Sequence, residues 1–209
     1  MRHGIACPES FSLASVLGSP VQIREWLIQG LPNDTFSIEN ALMMAHAERW
    51  PLLIDPEGQA SSWIRNLESN SSLVSMKLSD DDSLRKLENA LQFGLPVLIE
   101  NVGEILDATL DPVLLKRTSK EGGVTSIKFG DSILEYAESF KLYIVTRLRN
   151  PHFPPETAVK VAIFNFMITR EGLQDQLLGL IVHLEKPQLQ EDKMKLVMQG
   201  LTPQLPWTL

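Results

Sequence analysis

The chain is poor in the residues that most often carry readable chemistry. Of its 209 residues a single one is cysteine, Cys7, which excludes an internal disulfide framework and any zinc site built on cysteines, and suits a reducing compartment. Its four histidines, His3, His46, His152 and His183, are scattered without metal-ligand spacing. None of the 12 glycines precedes a lysine, so there is no Walker-type phosphate loop. The apolar stretches Val161 to Ile168 and Leu177 to Leu184 fall far short of the roughly 18 residues a membrane span needs. Positive charge is scarce as well: 19 Lys and Arg face 26 Asp and Glu, for a formal net charge of -7. That balance argues against a diffuse affinity for nucleic acid or acidic membranes, which rests on neutralising phosphates with cationic side chains. With no signal peptide recognisable at Met1, the expectation is an intracellular protein.

What the chain has in quantity is apolar sequence, 44% of residues against 22% charged, enough for one globular domain with a real core. Several short continuous apolar runs read as buried strands: Pro51 to Ile54, Leu73 to Leu78, Pro96 to Ile99, Leu142 to Val145 and Val161 to Ile168. Runs without polar alternation suit a sheet covered on both faces. Helical patterns lie between them. Ser83 to Phe93 sets Leu84, Leu87, Ala90 and Leu91 on one face, with Ser79-Asp-Asp-Asp82 as its capping start and Gly94 as its stop. Phe36 to His46 predicts a helix capped by Ser37, and the stretch after Thr169, "REGLQDQLLGLIVHLE", predicts another. Gly122 to Tyr136 alternates around Gly130-Asp131 and predicts a β-hairpin inserted in the sheet. Alternating strand and helix gives the fold class: α/β, a mostly parallel sheet sandwiched by helices.

The stretch "RWPLLIDPEGQASSW" raises a functional question. A strand runs into a turn and then into a helix, the junction at which helix amides and the helix dipole favour an anion. A phosphate loop there would add a lysine for charge and a hydroxyl for magnesium. This turn instead supplies Asp55, Pro56, Glu57 and Gly58 before Gln59. With a phosphate charge ~5 Å from a carboxylate and an effective dielectric near 20, each such pair costs about 3 kcal/mol. The strand "PVLIEN" ends in Glu100 and Asn101, where a catalytic pair would need a second carboxylate; Glu100 could hold a metal, but Asn101 cannot act as a carboxylate base. The strand "LYIVTR" ends in Thr146 and Arg147. Three strand tips thus lack the groups that nucleotide hydrolysis uses.

The long blocks "WLIQGLPNDTFSIENALMMAHAERWPLLIDPEGQASSWI", "LRKLENALQFGLPVLIENVGE", "LDPVLLK" and "LYIVTRLRNPHFPPETAVKVAIFNFMITREGLQDQLLGLIV" resemble the fifth AAA+ module in the motor ring of the dynein heavy chain, in its axonemal form. The resemblance runs from about Phe11 to Glu191. It implies an AAA+ large subdomain over 11–169 and a first helix toward an incomplete helical lid over 170–191. Residues 1–10 then form an unstructured start, and 192–209 a tail outside the family, as in a short or truncated product. The resemblance further implies a structural module without ATPase activity, with no catalytic residue, metal or cofactor of its own. Asp55, Glu57, Gly58, Glu100, Asn101, Thr146 and Arg147 become positions of a degenerate nucleotide site, and Lys160 or Arg149 a contact to a neighbouring module's site. The implied partners are adjacent AAA+ modules, other dynein subunits and, indirectly, microtubules, in the cytoplasm, cytoskeleton and ciliary or flagellar axoneme; nucleic acid and membrane are not among them. The alternative is a regulatory domain that binds ATP or ADP with magnesium without hydrolysis, using Glu100 for the metal and Arg147 and Arg149 for the lost lysine.

Overall fold

A computed structural model describes residues 12–121, 124–130 and 132–186, together with residue 188. The readings made above for residues 1–10 and 192–209, and for Gly122, Gly123 and Asp131, lie outside these residues. The chain divides into two compact units, Met43–Met167 and the flanks Met1–Leu42 with Ile168–Leu209.

The unit Met43–Met167 is built on five parallel strands: β1 (Pro51–Ile54), β2 (Val74–Lys77), β3 (Val97–Glu100), β7 (Leu142–Thr146) and β8 (Ala162–Asn165). Their order is β2-β3-β7-β1-β8, which puts the first strand between the last two. Registers are set by pairs such as Leu52 with Ile144 and Leu52 with Ile163. β1, β3 and β7 are covered on both faces, as their unbroken apolar runs predict. β2 and β8 are the edges, and both alternate buried with exposed residues. β8 stops at Asn165, three residues before the predicted Ile168, because nothing pairs with the chain beyond Phe166.

Helices α4 (Gln59–Leu67) and α5 (Ser83–Phe93) supply the crossovers. On α5, Leu87, Ala90 and Leu91 are fully buried, in one cluster with Leu52, Val97, Ile99 and Ile144. Leu84, predicted for that face, is 46% exposed; the buried stripe runs instead through Ser83, Leu87 and Ala90. The Asp80 to Asp82 start makes no side-chain cap on the helix, and Asp80 accepts from the Lys77 amide instead. Gly94 ends α5 as predicted: it sits at φ +67, its N–H donates to the Ala90 carbonyl, and a Cβ there would run into Ser139. On the other face of the sheet, Leu53, Val145 and Phe164 align, and Trp63 of α4 lies against Phe166 with centroids 6.1 Å apart.

The predicted hairpin exists, as β5 (Val124–Phe129) and β6 (Ser132–Glu135), with Gly130 at φ +59. It does not enter the main sheet. It joins β4 (Thr118–Glu121) in a separate antiparallel sheet of three strands. Ile127, Phe129 and Leu134 turn one side of that sheet into the core cluster shared with α5. A short helix, α6 (Asp111–Leu114), precedes it. Trp50 holds this region to the start of β1, donating from Nε1 to the Val113 carbonyl at 2.8 Å and packing edge-on against Phe140.

The flanking unit contains α1 (Leu13–Leu17), α2 (Pro20–Ile28), most of α3 (Thr35–Ala45) and α8 (Arg170–Glu185). Asp34, not Ser37, caps α3: its carboxylate accepts from both the amide and the hydroxyl of Ser37 at 2.8 Å. Ser37 is thereby placed inside the helix and buried. Thr169 caps α8 by accepting from the Gly172 amide. Along α8, Leu173, Leu177, Leu180 and Leu184 are exposed at helical spacing.

Leu87→Ala should cost about 3 kcal/mol of unfolding free energy, the usual range for truncating a fully buried leucine. Leu84→Ala, on the same helix, should change stability by less than about 0.5 kcal/mol. Urea denaturation of the two variants beside the wild type checks both values; equal losses would contradict the burial described for α5.

Candidate functional site

In an open parallel sheet, ligands are taken at the carboxyl ends of the strands, where the connections diverge to opposite sides. Here that place is the end of β1, flanked by β7 and β8. The Asp55 amide donates to the Thr146 carbonyl at 2.9 Å, extending the β1–β7 pairing by one step. Its side chain is completely buried. One carboxylate oxygen accepts from the Gln59 amide at 2.8 Å; the other accepts from the Ser61 amide at 2.9 Å and the Ser61 hydroxyl at 2.8 Å. Gly58 lets the chain swing into α4 at φ +81, a conformation that L side chains rarely adopt. Glu57, by contrast, is exposed.

At the end of β3, Glu100 is ion-paired and hydrogen-bonded to Arg65 on α4. Asn101 is exposed in the left-handed region, at φ 58, which asparagine tolerates better than most residues. The Val102 amide then returns to the sheet by donating to the Val145 carbonyl. Thr146 is fully buried, donating its hydroxyl to the Val102 carbonyl at 2.7 Å and accepting from the Leu148 amide. Arg147 and Arg149 are exposed and make no ion pair among the described residues.

At the carboxyl edge of the sheet Asp55 therefore holds the first turn of α4, Glu100 pairs with Arg65 in its last turn, and Thr146 bonds to the chain beyond β3. Lys160 does not join them. It closes α7 (Pro155–Lys160), just before β8 and so at the opposite edge, where its Nζ lies 2.7 Å from an Asp111 oxygen. Its charge is engaged within this chain. Among the described residues no group of three or more His, Cys, Asp or Glu side chains is placed to hold a metal ion.

One polar cluster was not read from the sequence. Glu68, at the end of α4, is buried and accepts from Lys141 Nζ and from the Tyr143 hydroxyl, each at 2.8 Å. Burial pushes the Glu68 carboxyl up, but the hydrogen bonds from Lys141 and Tyr143 and the lysine charge outweigh it and hold the group below its ordinary value. Burial, then the Glu68 charge and hydrogen bond, push the Tyr143 phenol far above its ordinary value. The clue was available: Tyr143 is the one residue of "LYIV" with a polar atom, and a buried phenol requires a partner.

The five-stranded parallel sheet, its strand order and the strand-to-helix turn after a central β1 define the large subdomain of an AAA+ nucleoside-triphosphatase fold. Residues 24–204 match the family described as the ATP-binding dynein motor region, and the chain belongs to that family. It is 55% identical to mouse dynein axonemal heavy chain 3 over 190 residues, 91% of this chain and 5% of that protein. It is 50% identical to rat dynein axonemal heavy chain 1 over 198 residues, 95% of this chain and 4% of that protein. To mouse dynein axonemal heavy chain 2 the identity is 47% over 193 residues, 92% of this chain and 4% of that protein. The chain spans about 5% of the length of the curated relatives it matches first.

Because the Glu68 carboxyl is held below its unfolded value, its contribution to stability is complete above about pH 4.3 and is lost as pH falls through the folded value. Glu68→Gln should lower stability at pH 7 by about 2 kcal/mol. The gap to the wild type should narrow in denaturant melts taken from pH 7 down to pH 3; a constant gap would show that the carboxylate is not the group responsible.

Proposed function

We propose that this chain is a structural, non-catalytic AAA+ module of an axonemal dynein heavy chain, the fifth in the motor ring. The observation that carries the reading is the commitment of all three strand tips to internal bonds: Asp55 to the start of α4, Glu100 to Arg65, and Thr146 to the Val102 carbonyl. A hydrolytic site needs such side chains turned toward substrate, metal and water. The family is described as an ATP-binding dynein motor region, and relatives of which this chain spans about 5% leave room for the ATPase elsewhere. In this reading the module acts by packing between adjacent AAA+ modules and passing movement through a rigid sheet. The exposed leucine seam of α8 supports such packing. Its partners are then the neighbouring modules, other dynein subunits and, indirectly, microtubules, and its place is the cytoskeleton of the ciliary or flagellar axoneme, reached from the cytoplasm.

Titration calorimetry with Mg-ATP and Mg-ADP should give no binding heat, and a phosphate-release assay no turnover. Micromolar binding together with turnover abolished by Glu100→Gln would overturn the proposal. A regulatory, nucleotide-binding reading draws on the exposed Arg147 and Arg149 beyond β7. It expects a rise in Tm with ADP that is lost in Arg147→Ala.

A further inference from the structure

In the three-stranded antiparallel sheet, β4 carries no apolar residue and pairs, among the described residues, with β5 alone. Its serine, Ser119, stands in "KRTSK", two and three residues after Arg117 and Lys116 and directly before Lys120. All five of these residues are exposed. An extended, open-edged segment with this run of charge suits a protein kinase whose substrate groove is lined with carboxylates, because kinases select substrates by such charge patterns. We propose that Ser119 is a phosphorylation site for a basic-directed kinase, and that its phosphate is held by Arg117 and Lys128, fastening β4 to β5. The proposal is independent of whether the module binds nucleotide.

The step is a phosphoryl transfer. A bond forms between Ser119 Oγ and the γ-phosphorus of kinase-bound Mg-ATP, and the bond from that phosphorus to the β–γ bridging oxygen breaks. ADP leaves with the electron pair, and the hydroxyl proton passes to the kinase's base. The Ser119 hydroxyl lies on the outer face of the sheet, 3.0 Å from that of Ser126. Alternation puts Lys128 on the same face, two residues beyond Ser126 and so diagonal to Ser119, whereas Ile127, Phe129 and Leu134 turn to the core. Long side chains span that diagonal. Lys116 is already engaged, its Nζ 2.6 Å from the Glu48 carbonyl and 4.3 Å from the centre of the Trp50 ring. Arg117, Lys120 and Lys128 make no ion pair among the described residues. Arg117 and Lys120 are therefore left for the kinase to read, and Arg117 and Lys128 for the phosphate to recruit. Phosphoserine brings a charge of about -1.5 to -2 at pH 7 and three acceptor oxygens, and the guanidinium fork matches phosphate geometry. Glu135, in the same cross-strand row, lies a strand further off, opposite Ser126 on β6.

The experiment treats the full 209-residue chain with Mg-ATP and the catalytic subunit of cyclic-AMP-dependent protein kinase, a basic-directed enzyme, and maps the phosphate by tandem mass spectrometry. A single phosphate is expected, on Ser119. Ser119→Ala should abolish it, Thr118→Ala and Ser126→Ala should keep it, and Arg117→Ala should slow its incorporation about tenfold. Hydrogen exchange at the β4 amides should be slower in the phosphorylated chain than in the unmodified one, and Lys128→Ala should remove that gain. Mapping on the wild type needs no substitution, so the site is decided even where a variant does not fold. A native chain that takes up no phosphate, or takes it up elsewhere with Ser119 intact, overturns the assignment of the site. Exchange at β4 that is unchanged or faster after phosphorylation overturns the fastening by Arg117 and Lys128.

Discussion

The seat of the Asp55 carboxylate on the first turn of α4 fixes the centre of the molecule. It determines where β1 stops and where α4 begins, and through α4 it positions Trp63 against Phe166 and Arg65 against Glu100. The same residue's amide ties β1 to β7 at their last step. A fully buried carboxylate is tolerated only where its oxygens are satisfied, so the turn, the helix start and the strand pairing must form together. At the far end of α4, Glu68 repeats the arrangement with Lys141 and Tyr143. The helix is thus fastened by a polar contact near each end, to the residue after β1 at its start and to β7 at its close.

This double fastening gives the sheet its mechanical character. β1, β3 and β7 are covered on both faces, and the helices that cover them are pinned by contacts that lose energy steeply when displaced. Dense apolar packing resists compression and transmits strain.

Much of the main sheet was legible because its central strands are continuous apolar runs, and α5 because Gly94 supplies the one backbone conformation its end requires. The failures have separate physical causes. "NDTFS" contains four residues of capping type, Asn33, Asp34, Thr35 and Ser37, and the carboxylate of Asp34 reaches the free amide that Ser37 itself carries. β4, "TSKE", has no apolar residue to reveal a period and exists by pairing with β5. Leu84 fits a helical stripe as well as Ser83 does, and only the position of the sheet decides between them. At the strand tips the residue types were readable but their directions were not. Asp55 and Glu57 are equivalent as letters, yet one is buried against amides and the other faces water. Lys160 likewise has a direction its letter does not carry, toward Asp111 of the same chain.

The placement of β1 between β7 and β8 governs how such a module comes into being on a ribosome. β1 is the first strand to be synthesised, yet both of its partners are made last, beginning at Leu142 and Ala162. Until then its edges are bare, and β2 and β3 can pair only with each other. Native pairings so distant along the chain form late and slowly. The sheet is complete only once Asn165 has emerged, and a nascent chain halted before Leu142 presents the central strand, with Leu52 and Leu53, as an open template for aggregation on both edges.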